Sequence, residues 1–78
     1  MHLILYSTSA CHLCEVAEQM IQALSQSGRS ITLEKVDISD SDQLFERYGV
    51  KIPVLARPDG RELDWPFDAA ELAAFVGV

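Results

Sequence analysis

The sequence predicts one α/β domain whose elements follow the order β-α-β-α-β-β-α. Three observations predict it. Apolar runs of strand length alternate with segments of helical periodicity. Glycine and proline mark the turns between them. The chain has 78 residues, so we expect a single domain over residues 1–78, and 49% of them are hydrophobic, which is enough for a core.

The first half of the chain predicts a β-α-β unit. Residues 2–7 are apolar at nearly every position, as in a strand covered on both faces. Over residues 12–26 a helical stripe follows: Leu13, Val16, Ala17, Met20, Ile21 and Leu24. Gly28 ends this helix. Residues 31–37 predict a second strand, so the two strands should be parallel with a right-handed crossover.

The second half predicts a short helix, a hairpin and a last helix. Residues 39–42 suit a helix N-cap, Leu44, Phe45 and Tyr48 are expected core residues, and Gly49 stops the helix. Pro53 marks the start of the third strand, because it cannot donate a ladder hydrogen bond. The turn at residues 57–61 leads to an edge strand over residues 62–64. Asp68 with Glu71 resembles a capping box for the last helix.

The candidate chemistry lies in Cys11-His12-Leu13-Cys14, which holds both cysteines of the chain. This motif stands where the first strand gives way to the first helix, so it predicts a redox-active dithiol. Unpaired N–H groups and the dipole at a helix start stabilise a thiolate. Such sites lower a thiol pKa from ~8.5 to about 3.5–7.5. We therefore assign Cys11 as the nucleophile and Cys14 as the resolving cysteine that closes the disulfide.

His12 is a candidate modulator of this dithiol. An imidazolium beside Cys11 would stabilise its thiolate; the alternative is an exposed histidine with little effect. A zinc site is not expected, since four well-placed ligands are needed and the chain has only two cysteines and two histidines.

Charge and hydropathy narrow the classes of partner. The formal net charge is −6, which disfavours nucleic acid and anionic membrane surfaces. No apolar run is long enough to span a bilayer, and no leader precedes the first strand. We therefore expect a cytoplasmic protein, in a compartment where a cysteine pair is more often catalytic or metal-binding than a structural disulfide. We also expect a monomer.

The sequence also resembles the glutaredoxin-like proteins, which have a minimal thioredoxin fold. The matching segments cover essentially the whole chain: Leu5-Tyr6-Ser7 leading into Cys11-His12-Leu13-Cys14, then Val36-Asp37, then Tyr48-Gly49-Val50-Lys51-Ile52-Pro53-Val54-Leu55, then the Asp59-Gly60 turn. The resemblance implies a four-stranded mixed sheet of order 2-1-3-4, flanked by helices. It also implies a cis peptide bond between Ile52 and Pro53 that faces the dithiol.

The same resemblance implies a thiol–disulfide oxidoreductase that needs no metal or organic cofactor. Its partner would be a protein or a small molecule that carries a thiol or disulfide, oriented by the Ile52 backbone and cis-Pro53. Glutathione is a candidate co-substrate. However, Ser7-Thr8-Ser9-Ala10 lacks the lysine of glutathione-using relatives, and Trp65-Pro66-Phe67-Asp68 replaces their Gly-Gly-x-x-Asp turn.

Trp65 and Asp68 are the remaining substrate-binding candidates. Trp65-Pro66-Phe67 is either an exposed apolar rim for a partner or core packing under the last helix, and Asp68 either contacts substrate or caps that helix. Two other classes of function stay open. One is metal binding, including an iron–sulfur cluster shared by Cys11 of two chains. The other is a non-enzymatic interaction module on a thioredoxin fold.

Overall fold

The structure is a computed structural model that describes residues 1–28 and 30–77. A four-stranded sheet has the order β2-β1-β3-β4; β1 is parallel to β2, and the other two pairings are antiparallel. This confirms the predicted element order and sheet. The elements are β1 (His2–Ser7), α1 (His12–Gln26), β2 (Thr32–Asp37), a 3-10 turn (Ile38–Asp40), α2 (Asp42–Tyr48), β3 (Val54–Ala56), β4 (Glu62–Asp64) and α3 (Ala69–Val76).

Two apolar clusters cover the two faces of the sheet. The larger cluster joins the sheet to α1 and α3, and its buried members are Leu3, Leu5, Ala17, Ile21, Leu55, Phe67, Leu72 and Val76. The smaller cluster joins the sheet to α2 through Ile38, Tyr48 and Val54. Leu3 and Leu5 therefore point to one face of β1, while Tyr6 packs on the other, as strand alternation requires.

The register brings several chain segments to one end of the sheet. Ser7, the last residue of β1, pairs with Asp37, the last residue of β2. Val54, the first residue of β3, pairs with Tyr6 on one side and Asp64 on the other. Ser7, Asp37, Pro53 and Trp65 consequently lie at the same end of the sheet, where the loop leading to the cysteines begins.

Three details differ from the sequence-based expectation. Phe45, expected in the core, is 60% exposed. Leu44 packs against the smaller cluster and Tyr48 belongs to it, one helical turn apart, so Phe45 is rotated away from the sheet. Leu13 is 46% exposed, because the buried face of α1 runs through Cys14, Ala17 and Ile21.

The third difference is the 3-10 turn between β2 and α2, which the sequence pattern did not predict. The Asp37 side chain caps this turn by accepting a hydrogen bond from the Ser39 N–H. Ser41 then caps α2. Within residues 1–28 and 30–77, none of the helices is both long and apolar enough to traverse a bilayer.

Candidate active site

Cys11 occupies the N-cap position of α1, and its sulfur is held there by the helix itself. The Cys14 N–H donates to Cys11 Sγ at 3.0 Å. The Cys11 N–H donates to the Thr8 carbonyl and the Cys11 carbonyl accepts from the Glu15 N–H, both at 3.3 Å. A sulfur atom therefore takes the place that an oxygen fills in most N-caps, and one unpaired helix N–H points at it.

The two cysteines are joined by a disulfide, with their Cα atoms 5.2 Å apart. They differ in exposure: Cys11 is half-buried, whereas Cys14 is only 4% exposed. Cys11 is therefore the cysteine that an incoming group can reach, and Cys14 lies in the protein interior next to it. The roles of nucleophile and resolving cysteine assigned from the sequence stay predictions.

A cavity of about 280 Å³ adjoins the disulfide. It is lined by the end of β1, the loop after it, the first turns of α1 and the end of β2, namely Leu5, Ser7, Thr8, Ser9, Cys11, Cys14, Glu15, Glu18, Lys35 and Asp37. Both cysteines thus form part of the wall of one recess between α1 and β2.

Carboxylates dominate the charge of this recess. Lys35 Nζ lies 3.3 Å from Glu18 Oε2, so the ammonium group is already paired. Hydrogen bonds from the Ser39 side chain and backbone hold the pKa of Asp37 below its ordinary value, so Asp37 is ionised at neutral pH. Glu15 lies in the first turn of α1, where it suits the helix dipole.

His12 stands at the start of α1 but points outward. Its side chain is 85% exposed, and Nδ1 lies 3.8 Å from Glu15 Oε2. His12 does not line the recess. The nearby Glu15 carboxylate and the surrounding water would both weaken the electrostatic effect of a His12 imidazolium on the Cys11 sulfur.

Ile52 and Pro53 lie just before β3. Pro53 is almost wholly buried and Ile52 is half-buried, packed against the smaller apolar cluster. The Ile52–Pro53 peptide bond is cis, as is the Trp65–Pro66 bond. The pair stands at the same sheet end as the dithiol loop but outside the residues that line the recess.

Trp65 and Asp68 belong to the connection between β4 and α3. Trp65 is half-buried and packs on the larger cluster. Its ring meets the Phe67 ring edge-on, with the ring centroids 5.0 Å apart. Phe67 is buried, so the core-packing alternative describes this segment better than an exposed rim. Asp68 accepts from the Glu71 N–H at 2.7 Å and its own N–H donates to Glu71 Oε1 at 3.1 Å, which confirms the predicted capping box.

Sequence reasoning did not select Glu15, Glu18, Lys35 or Asp37 as site residues. A signal for Asp37 was available, because the carboxyl ends of adjacent parallel strands meet at one sheet edge, where α/β proteins bind ligands. Across the described ranges, the structure assembles no group of three or more His, Cys, Asp or Glu side chains suited to a metal ion.

Comparison with known proteins identifies the family. The family model described as "Glutaredoxin-like domain (DUF836)" matches residues 2–77. The chain belongs to this glutaredoxin-like family. Its C-x-x-C pair is therefore carried by a thioredoxin-like fold, as the sequence motifs indicated. A search of curated proteins found no match.

Solved structures show the same relationship. The crystal structure of the structural-genomics target XcR50 from X. campestris is 43% identical, covers 95% of this chain and 93% of its own, and superposes with a TM-score of 0.82. Protein Ne2328 from Nitrosomonas europaea is 26% identical over 95% of this chain and 88% of its own, with a TM-score of 0.80. Both proteins thus share the architecture of this chain, and XcR50 is also similar to it in sequence.

Proposed function

We propose that this glutaredoxin-like protein is a dithiol thiol–disulfide oxidoreductase with Cys11 as nucleophile. One observation carries the proposal: the reachable sulfur of Cys11 accepts the Cys14 N–H at the start of α1, with the Cys14 sulfur close enough to bond to it. That N–H and the helix dipole both favour the thiolate, which is the reactive form.

The exchange takes two steps and moves two electrons. In the reduced protein, the Cys11 thiolate attacks one sulfur of a substrate disulfide RS–SR, forms a Cys11–SR bond and releases RS⁻. The Cys14 thiol then loses its proton and attacks Cys11 Sγ, which forms the Cys11–Cys14 bond and releases the second RS⁻. The substrate disulfide is reduced to two thiols, and the protein pair is oxidised. A reducing thiol runs the same steps backwards.

Ile52 and Pro53 are proposed to orient the substrate. Their position beside β1, at the sheet end where the dithiol loop starts, supports this role. The Ile52 backbone would then hold the substrate chain while its sulfur reaches Cys11. Trp65 and Asp68 receive no substrate role here, because the first packs on the core and the second is engaged in the capping box.

Single-cysteine variants test the mechanism. Reduced Cys14→Ser protein should accumulate a mixed disulfide with 2-hydroxyethyl disulfide, because nothing resolves it. Reduced wild-type protein should instead end as the internal disulfide. Intact-mass spectrometry after acid quenching separates these products. Cys11→Ser is the matched control and should react far more slowly, since its remaining thiol is buried.

Two results would contradict the proposal. One is equal reactivity of the two single-cysteine variants, since Cys11 would then have no special role. The other is a wild-type protein whose dithiol does not exchange with the disulfide at all. Equilibration with a glutathione redox buffer, read out by the same mass measurement, then shows whether Cys11 carries glutathione or is bonded to Cys14.

A further inference from the structure

The geometry points to a substrate disulfide that carries a positive charge beside its reacting sulfur. This inference rests on the proposed function, since it names the substrate class of the same site. Its basis is the recess next to the cysteines, which has room for one small group attached to the sulfur that Cys11 attacks. Glutathione, which carries two carboxylates against one ammonium group and is therefore a net anion, is then a poor fit.

The recess offers space beside the reacting sulfur for a substrate group during the exchange. Cys11 and Cys14 both form part of its wall, so a group bonded to Cys11 Sγ has this space at hand. Its volume of about 280 Å³ lies just below the usual range for ligand cavities, which is about 300–1,000 Å³. A short aminothiol or one lysine side chain next to a substrate cysteine is of suitable size.

The charges of the recess select the sign of that group. Among the described residues that line it, three carboxylates face one ammonium group, which leaves an excess of two negative charges. Lys35 is neutralised by Glu18 at 3.3 Å, so the uncompensated groups are Glu15 and Asp37. Ser7, Thr8 and Ser9 add hydroxyl groups and no cation. An anionic group would meet repulsion here, and an ammonium or guanidinium group would meet attraction.

Neighbouring charges alter this balance only slightly. His12 lies 3.8 Å from Glu15 on the outer side, 85% exposed, so solvent screens the pair. Asp37 also accepts hydrogen bonds from Ser39, which fix its carboxylate at the end of β2. The Asp37 carboxylate is thus held in place before any substrate arrives, whereas the Glu15 side chain is 69% exposed.

Three small disulfides of different charge test the inference. They are cystamine, which is cationic, 2-hydroxyethyl disulfide, which is neutral, and glutathione disulfide, which is anionic. The rate of oxidation of the reduced protein is measured for each by acid quenching and mass spectrometry. Each rate is divided by the rate for dithiothreitol with the same disulfide, which removes differences in leaving-group reactivity. We expect the normalised rates to fall in the order cationic, neutral, anionic, by about fivefold per step.

Charge-neutralising variants locate the source of the preference. Glu15→Gln and Asp37→Asn should each lower the cystamine to 2-hydroxyethyl disulfide ratio by about twofold, so that the two carboxylates together account for most of the fivefold preference. Asparagine retains an oxygen that can cap the 3-10 turn. Glu46→Gln is the matched control, since it changes the net charge equally from an exposed position on α2 outside the recess. It should leave the ratio unchanged.

A fourth variant gives a gain of function. Glu18→Gln frees Lys35 inside the recess, so it should raise the rate with glutathione disulfide relative to the neutral reagent.

Peptide disulfides with lysine or glutamate next to cysteine distinguish two sources of positive charge, a protein segment and a small aminothiol. If the lysine peptide exceeds the glutamate peptide as strongly as cystamine exceeds the neutral reagent, the preferred source is a protein segment. If cystamine alone is favoured, the source is a small aminothiol.

The outcomes separate this inference from the proposed function. If 2-hydroxyethyl disulfide does not oxidise the dithiol, the proposed function fails. If it reacts but the three normalised rates are equal, the oxidoreductase stands and the charge preference is refuted. If Glu46→Gln lowers the ratio as much as Glu15→Gln, the preference comes from the net charge of −6 rather than from the recess, and the inference is overturned.

Discussion

Tyr48→Phe should destabilise the protein by about 1–2 kcal/mol. The Tyr48 ring is only 3% exposed and stacks on Tyr6, with centroids 4.2 Å apart and planes 15° from parallel. Its hydroxyl donates a hydrogen bond to Glu62, a residue of β4. Phenylalanine keeps the ring and its packing, so the substitution isolates the contribution of that hydrogen bond.

The magnitude follows from the surroundings of Glu62. A hydrogen bond to a charged acceptor contributes about 1.5–3 kcal/mol. The Glu62 side chain is 24% exposed and lies 3.8 Å from Arg47, so its carboxylate keeps water and a cation after the change. We therefore expect a loss around or just below the lower end of this range, about 1–2 kcal/mol. For a domain of this size each kcal/mol corresponds to a melting-temperature shift of about 4–8 °C.

The same substitution should change the stability at alkaline pH. Burial raises the pKa of Tyr48 above its ordinary value, and the hydrogen bond to Glu62 raises it further. The pKa of Tyr48 is higher in the folded than in the unfolded protein. The contribution of neutral Tyr48 to the free energy of unfolding is therefore complete below about pH 10, and it is lost as the pH rises toward the folded pKa. Tyr48→Phe removes this contribution.

Urea denaturation followed by the fluorescence of Trp65, the single tryptophan, measures both effects. Tyr6→Phe is the control, because it preserves the stack and the Tyr48 hydroxyl. The reasoning is refuted if Tyr48→Phe is as stable as the wild type at neutral pH. It is also refuted if the variant loses stability above pH 10 as steeply as the wild type does.

Three further predictions concern the site and the helix caps. His12→Ala should raise the pKa of the Cys11 thiol by less than about one unit, measured by thiolate absorbance, since the imidazole is well exposed. Asp68→Ala should cost about 1 kcal/mol in urea denaturation, whereas Asp68→Asn should cost less, and neither should change the exchange rate if Asp68 is only a cap. Hydrogen bonds from Ser39 lower the pKa of Asp37. Ionised Asp37 therefore stabilises the fold above its unfolded pKa, and this stabilisation is lost as the pH falls through its folded pKa. Ser39→Ala should reduce the loss of stability in this acidic range.

Local sequence signals predicted most of the fold. The apolar spacing that places Ala17 and Ile21 on one helix face is complete within a few residues of chain, and so is the reciprocal pairing of Asp68 and Glu71. The C-x-x-C pair was equally visible, because Cys11 and Cys14 are one helical turn apart. Each of these features depends on residues that are close together in the sequence, so one sequence is enough to predict them.

The recess was not predicted because its walls come from distant parts of the chain. Lys35 meets Glu18 only after β2 has paired with β1 in the observed register. The orientation of Phe45 likewise depends on which side of a seven-residue helix faces the sheet, and Leu44, Phe45 and Tyr48 are all apolar. In both cases the deciding information is the packing of one element on another.

The unequal exposure of Cys11 and Cys14 also limits damage to the site. A bulky oxidant or alkylating agent can approach one sulfur but has little access to the other, which is 4% exposed. In the proposed exchange, a molecule captured by Cys11 would therefore be expelled by the protected Cys14 thiol one helical turn away. A sulfenic acid formed on Cys11 would be converted to the internal disulfide, with loss of water, before further oxidation makes the injury permanent.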